Sequence, residues 1–517
     1  MTFEIVFVLL SLLGMMAALI ADKMRPGMVL FSVVVLFLCV GILTPKEMLE
    51  GFSNKGMITV ALLFMVSEGI RQSGTLGQVI KKLLPQGKTT VFKAQLRILP
   101  SVAFISAFLN NTPVVVIFAP IIKHWAKSVK LPATKFLIPL SYVTILGGIC
   151  TLIGTSTNLV VHGMILEAGY EGFTMFELGK VGIFIAIAGI IYLFIFSKRL
   201  LPDARPDTAV PDEEVEEGEK LHRVEAVLGA RFPGINKKLS DFNFQRHYGA
   251  EVKEIKTRNG QRYVDHLEDV VLREGDTLVV MADDTFIPTW GESSVFVLLT
   301  NGNDPDTSGK KKRWLALILL VLMIVGATVG ELPATKEMFP DIKLDMFFLV
   351  CITTIIMAWT NIFPARKYTK YISWDILITI ACAFAISKAM VNSGVADCVA
   401  GFIIGLSDDY GPHVLLAILF VITNLFTELI TNNAAAALAF PLALSISAQL
   451  GVSPTPFFVV ICMAASASFS TPIGYQTNLI VQGIGNYKFT DFVRIGLPLN
   501  IITFLISVIL IPLIWNF

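Results

Sequence analysis

Residues 153–161 read Ile-Gly-Thr-Ser-Thr-Asn-Leu-Val-Val, and residues 473–481 read Ile-Gly-Tyr-Gln-Thr-Asn-Leu-Ile-Val, one pattern written twice 320 positions apart. The same shift sets Thr151 on Thr471, Gly163 on Gly483, Ser67 on Ser387 and Ser73-Gly74 on Ser393-Gly394. One further position of shift lays Asn110-Asn111-Thr112 over Thr431-Asn432-Asn433 and Pro120 over Pro441. The chain is therefore an internal duplication, and each copy owns two polar interruptions in apolar surroundings.

Those surroundings are membrane-like. Of 517 residues 54% are hydrophobic and 16% charged, with a mean hydropathy of +0.70. A soluble fold of this length needs about a quarter of its residues charged to cover its surface. The net charge of +1 and the scatter of Lys and Arg beside apolar runs exclude a nucleic-acid partner. The six cysteines show no CxxC spacing and read as small buried hydrophobes. Charge is concentrated from Lys198 to Arg313, which holds 22 acidic and 18 basic residues. That stretch is a soluble insert between two membrane repeats, residues 1–200 and 314–517, the insert spanning 201–313 with a core near 218–292.

Uncharged runs long enough for helices that span about 30 Å of hydrocarbon recur on both sides of the insert, about six elements in each half. The first run, from Ile5, lacks a basic flank and a cleavage site and reads as a retained helix. Arg71, Lys81, Lys82, Lys88, Lys93 and Arg97 form a basic stretch without an acid, which assigns it to the cytoplasm with Lys23, Arg25, Lys310 to Arg313 and Arg366 to Lys370. The acidic turns at Glu167 to Glu171 and Asp408-Asp409 then fall outside. For this alternation to close, a segment near 98–127 must enter and leave on the cytoplasmic side, and its counterpart near 413–446 must do so outside. The expected fold is an all-α polytopic membrane protein of two inverted repeats. Each repeat carries a re-entrant hairpin and a broken helix, and a small α+β cytoplasmic module is inserted between them. The location is the plasma (inner) membrane.

Backbone freed by a helix break, and Asn or Thr side chains, are costly in hydrocarbon unless they line a cavity or bind something. Breaks at matching positions of two repeats mark a midplane site. Their half-helix N-termini offer free N–H groups and positive dipole ends to an anion, and their carbonyls and hydroxyls suit a hard cation. Polar packing between helices is the rival reading, and it explains a single Asn better than four symmetric clusters.

At these residues the sequence resembles the divalent anion/sodium symporter family, over both membrane halves and most specifically at the tips and the two Gly-broken motifs. The tips depart from the family's Ser-Asn-Thr in their flanking residues and keep the central Asn111 and Asn432. The resemblance implies one sodium among Ser106, Asn110, Asn111 and Gly154, and a second among Thr427, Thr431, Asn432 and Gly474. It implies substrate contacts from Asn111, Thr112, Asn432 and Asn433, with Thr155, Ser156, Thr157, Tyr475, Gln476 and Thr477 at the breaks. A homodimer with a scaffold part holding a moving part is implied by the same likeness. A carboxamide offers an acceptor to a cation and a donor to an oxyanion, so Asn111 and Asn432 are expected to bridge the two.

Charges within spans need separate readings. Glu68 and Lys388 read as helix-end or scaffold ion-pair groups, and Glu428 as a brace that accepts backbone hydrogen bonds near the second tip. His162 reads equally as interfacial or functional. Trp125, Trp314, Trp374 and Trp515 read as interface anchors.

Inside the insert, an acidic linker at Pro211 to Glu219 precedes strand-like Leu221 to Leu228. Next come a helical stretch near Leu239 to Tyr248, strand-like Ala250 to Thr257, a turn at Arg258-Asn259-Gly260, and a strand from Asp276 to Met281. This unit is similar to the TrkA-C module, the C-terminal lobe of the regulator of potassium conductance family. The likeness implies dimerisation and a small-molecule ligand, with a purely structural module as the alternative.

The functional expectation is a secondary active transporter, a sodium-coupled symporter of a divalent anion, sulfate first, by alternating access. A dicarboxylate or citrate substrate is the rival within transport. An ion channel gated by the insert is a second class, but no TVGYG-like filter run is present. An enzyme is excluded by the lack of HExxH, GxSxG or paired catalytic carboxylates in the spans.

Overall fold

The computed structural model describes residues 3–21, 23–85, 87–203, 222–229, 232–257, 261–283, 286, 290, 295–300, 310–338, 344–405 and 411–517. The acidic linker, the turn at 258–260 and the pair Asp408-Asp409 lie outside the described residues. Among the described residues eight helices are long and apolar enough to cross a bilayer, and four shorter apolar ones accompany them. The protein is a multi-pass helical membrane protein with a small mixed module between its halves.

The two halves match element by element. In the first, Pro26–Val40, Lys55–Gln72 and Thr75–Leu83 precede a hairpin of Val91–Ser106 and Asn111–Ser128. A helix broken into Thr134–Gly148 and Ser156–Glu167 comes next, and Gly179–Leu200 closes the half. In the second, Met346–Trp359, Trp374–Asn392 and Val395–Gly405 precede the hairpin Gly411–Leu429 and Asn432–Leu450. The broken helix is Thr455–Ser466 and Gln476–Gly485, and Phe489–Ile514 ends it. Phe3–Ala21 and Lys310–Gly330 open the two halves.

The first hairpin begins several residues before the expected limit, and Lys93 and Arg97 lie in its opening turns. Pro113 restarts its second helix, in a first turn that has no use for the missing N–H.

Pairing across the repeats is reciprocal. Pro26–Val40 packs on Trp374–Asn392, and Met346–Trp359 packs on Lys55–Gln72. The second hairpin helix of each half packs on the second half-helix of the other, Asn111–Ser128 on Gln476–Gly485 and Asn432–Leu450 on Ser156–Glu167. One end of the bundle carries Asn54 hydrogen-bonded to Glu167, the Lys55–Asp345 ion pair, and Trp515 donating to Glu177. The other end carries Lys23, Lys123 and the insert.

Trp125 is a correction. It is buried, donates from Nε1 to the Pro85 carbonyl at 2.9 Å and packs edge-on against Phe136, so it is a core residue and not an interface anchor. Trp314 is exposed as expected. Cys39 is exposed and only Cys382 and Cys462 are buried, so burial does not hold for all six cysteines.

The insert is a five-stranded antiparallel sheet in the order β3-β2-β4-β1-β5. Its strands are β1 (His222–Leu228), β2 (Glu251–Lys256), β3 (Arg262–Tyr263), β4 (Thr277–Ala282) and β5 (Phe296–Thr300), with the short helix Phe244–Tyr248. The edge strand β5 falls beyond the expected core limit of 292. Side chains alternate between the two faces of a strand. Val224, Ala226 and Leu228 of β1 enter an aromatic core with Phe232, Phe242, Phe244, Tyr248 and Phe296. Val227 of the opposite face joins the core of the membrane part.

Candidate functional site

Four helices start where the expected motifs lie. Asn110, Thr155, Thr431 and Tyr475 are the N-cap residues of Asn111–Ser128, Ser156–Glu167, Asn432–Leu450 and Gln476–Gly485, and none caps its helix through its side chain. The two break caps share one backbone geometry, φ −138° and ψ 145° at Thr155 against φ −137° and ψ 133° at Tyr475.

Each tip reaches across to the break of the other repeat. Thr112 Oγ1 donates to Gln476 Oε1 at 3.3 Å, and at the symmetric place Ser156 Oγ and Thr157 Oγ1 donate to Asn433 Oδ1 at 3.3 Å and 3.2 Å. The Tyr475 hydroxyl receives Asn111 Nδ2 at 2.6 Å and lies 3.0 Å from Thr155 Oγ1, which joins both breaks and one tip at one atom.

Behind these N-termini each repeat ties tip to break in the same way. Ser106 Oγ donates to Asn111 Oδ1 at 2.8 Å, and Thr427 Oγ1 to Asn432 Oδ1 at 3.2 Å. Thr151 Oγ1 donates to the Ala107 carbonyl and receives the Gly154 N–H at 3.1 Å. Thr471 Oγ1 donates to the Glu428 carbonyl and receives the Gly474 N–H at 3.2 Å. The glycines are dictated by space. A Cβ on Gly154 would lie 2.5 Å from the Gly148 oxygen, and one on Gly474 would lie 2.7 Å from the Thr427 oxygen.

The expected cation residues thus gather at two places rich in neutral oxygen. The Thr431 hydroxyl is buried and without a partner, as a ligand-ready oxygen would be. Among the described residues no group of three His, Cys, Asp or Glu could hold a metal. Thr477 is fully buried and receives Ser141 Oγ at 2.9 Å, facing protein on this side. A cavity of about 10 Å³ bounded by Ser67, Asn110 and Ser156 lies between the first tip and Lys55–Gln72. It holds about one water.

Several participants were not assigned from sequence. Asn158 donates to the carbonyl of Thr151 at 2.9 Å, and Asn478 donates to those of Ser468 and Thr471 at 2.9 Å and 3.1 Å. They stand at matching places in the duplicated motif, and that duplication was the available signal. The buried Asn158 Oδ1 has no partner, whereas Asn478 Oδ1 receives Ser141 Oγ. Ser141 lies in Thr134–Gly148, outside the duplicated motifs, and gave no signal.

Glu428 accepts the Ser470 and Thr471 N–H groups at 2.8 Å and 2.9 Å and Asn500 Nδ2 at 2.7 Å, the expected brace. Glu68 is held by Arg71 and Gln72 of its own helix, a helix-end pair. His162 is half-buried with Nδ1 unpartnered and lies beyond the break, away from the crossing.

A duplicated helical membrane fold that crosses its broken helices at one polar centre is that of a membrane transporter, and the protein is not an enzyme. A model of the citrate transporter family matches residues 16–446 and again 338–517, so the chain belongs to that family. An uncharacterized transporter of Synechocystis sp. is 30% identical over 94% of this chain and 93% of its own length. Sodium/sulfate cotransporter 2 of Chlamydomonas reinhardtii is 30% identical over 54% of this chain and 31% of its own length. A sodium-dependent dicarboxylate transporter of Staphylococcus saprophyticus is 25% identical over 28% of each chain.

Proposed function

We propose that this protein is a sodium-coupled symporter of a divalent oxyanion, sulfate above all, working by alternating access as a homodimer in the plasma (inner) membrane. The observation that carries the reading is the meeting of four helix N-termini left uncapped by their own side chains. Each N-terminus carries roughly half a positive elementary charge, about +2 together, which matches a divalent anion. Neither break nor tip contains Arg or Lys, so the remaining balance falls to cations. Sodium ions held near Ser106, Asn110, Asn111 and Gly154, and near Thr427, Thr431, Asn432 and Gly474, supply it. Binding of the ions would set the tips, and the set tips would present the N-termini to the anion. The coupling follows from that order.

Asn432 remains the better donor to the anion, since its Nδ2 has no partner among the described residues, while that of Asn111 serves Tyr475. Tyr475 and Gln476 fill the space that Thr155 and Ser156 leave open in the other repeat, which favours a compact tetrahedral anion. Citrate or a dicarboxylate is the second reading, favoured by the family that the chain matches and by the shorter match to a dicarboxylate transporter.

The insert is read as cytoplasmic, because it packs at the bundle end that bears Lys23 and Lys123. Its TrkA-C likeness makes it a regulatory or dimerising module.

Radiolabelled sulfate uptake into proteoliposomes tests the reading. A sodium gradient should drive uptake, with selenate and thiosulfate competing and succinate not. Succinate or citrate competing better than selenate would move the assignment to the second reading.

A further inference from the structure

The β1 face opposite the aromatic core meets the membrane helices at Glu225 and Val227, while Arg223 on the same face stays exposed. Val227 is buried in the core of the membrane part, and Glu225 beside it forms an ion pair with Lys123 of Asn111–Ser128 at 2.9 Å. Lys256 of β2, itself buried, approaches the same carboxylate at 3.4 Å. On β4, Thr277 is fully buried against Gly483 of Gln476–Gly485, and the turn at Gly275 sits on Leu479. A third seat lies elsewhere: Asn236 Nδ2 donates to the carbonyl of Lys23, between Phe3–Ala21 and Pro26–Val40.

Two of these seats share a property that sequence order hides. Asn111–Ser128 and Gln476–Gly485 are the two helices whose N-termini meet at Thr112 and Gln476. The insert therefore holds, at their far ends, the helices that form half of the site at their near ends. Asn111 to Lys123 spans about 18 Å of one continuous helix at 1.5 Å per residue, with Pro120 inside it. The third seat belongs to different helices, since Pro26–Val40 packs chiefly on Trp374–Asn392. The chain leaves the insert into Lys310–Gly330, which packs on Met346–Trp359. A movement of the site helices relative to those others cannot keep all the seats.

We propose that the docked insert is a brake on the transport site, with Glu225 as the positioning residue that seats it on Lys123, and that the sheet must leave Gly483 for the site to change its accessibility. Glu225 is suited to a standing hold. Burial pushes its carboxyl up, but Lys123 and Lys256 outweigh this and keep it down at about 2, so the charge is present throughout the physiological range. The inference rests on the transporter reading and not on the identity of the anion.

A covalent lock tests it. From the position a Cβ would take on Gly483, the Thr277 Cβ is 3.9 Å away, inside the range of about 3.5–4.5 Å that a disulfide spans. The full chain carrying Thr277→Cys and Gly483→Cys, with the six native cysteines replaced, is purified and reconstituted. Oxidation should lower sodium-driven sulfate uptake at least tenfold, and dithiothreitol should restore it. Glu225→Gln, without the lock, should raise the maximal rate severalfold with KM unchanged. Lys123→Gln, which leaves Glu225 its contact with Lys256, should do so less and serves if Glu225→Gln fails to assemble.

Hydrogen exchange of the amides from Ala107 to Thr112 gives a readout that needs no transported anion. It should slow in the oxidised protein and quicken in Glu225→Gln. Oxidised protein that transports and exchanges like the reduced form would overturn the proposal, because the insert would then ride with the site helices. Slower transport by assembled Glu225→Gln would overturn it too, marking the contact as a staple. If no condition moves sulfate while exchange responds as stated, the substrate reading fails and the brake stands.

Discussion

The two hairpin tips are built on one plan and differ in the residue next to the tip hydroxyl. After Ser106 comes Ala107, whose carbonyl accepts Thr151 and whose side chain offers nothing further. After Thr427 comes Glu428, whose carbonyl accepts Thr471 and whose carboxylate also takes two backbone N–H groups and Asn500. The breaks differ in the opposite sense. The first presents the short Thr155 and Ser156, and the second presents Tyr475, which reaches across to tie Asn111. Repeat 1 thus receives its rigidity from the other repeat through a neutral hydroxyl, while repeat 2 carries its own through an anion. A duplicated site can keep its hydrogen-bond plan and still divide its work. The second tip carries a carboxyl that the first lacks, and the first tip depends on Tyr475.

The comparison breaks most sharply at the central amides. Asn111→Asp and Asn432→Asp each place a negative charge where an anion must enter, and each should reduce uptake by two orders of magnitude or more with membrane expression intact. Near-normal uptake by either would remove that amide from the site.

A smaller split is expected at the glycines. Alanine at Gly154 meets three backbone atoms, the Gly148 oxygen and Cα at 2.5 Å and 2.7 Å and the Ala107 oxygen at 3.0 Å, whereas alanine at Gly474 meets one, the Thr427 oxygen at 2.7 Å, beside the Ser468 side chain, which can turn away. Overpacking costs about 1–3 kcal/mol, so Gly154→Ala should lower the melting temperature in detergent more than Gly474→Ala. The reverse order would show that the second break is the less yielding one.

Glu428→Gln sharpens the cation half of the comparison. It should raise the sodium concentration for half-maximal uptake by about tenfold, equivalent to about 1.4 kcal/mol, and an unchanged sodium dependence would leave Glu428 a brace alone. Tyr475→Phe removes one neutral hydroxyl worth about 0.5–1.5 kcal/mol. It should change uptake by only a few-fold while loosening the preference for selenate over succinate.

The smallest effect is a null one at the insert. A carboxyl depressed from 4.5 to about 2 contributes to docking above its unfolded value and loses that contribution only as pH falls toward 2. Exchange protection of β1 should therefore be constant from pH 6 to 8. A drop within that window would mean that another group holds the seat.

The sequence by itself determined the duplication, the polar tips and breaks, the charged insert and three of its five strands, because repeats, hydropathy and strand alternation are written in neighbouring residues. The edge strand Phe296–Thr300 escaped, since an apolar run of five with one partner strand gives little local pattern. Trp125 was misplaced because its position near a span end is local, while the Pro85 carbonyl that receives its N–H lies 40 residues away. Only the tertiary structure decided that each tip answers the break of the other repeat, as Asn111 with Tyr475 and Asn433 with Ser156. It alone turned Glu225 and Val227, which alternation presents as an outer face, onto the membrane helices. A periodic pattern states which side chains share a face, but what covers that face depends on contacts between residues far apart in the chain, and these exist only once the whole fold has closed.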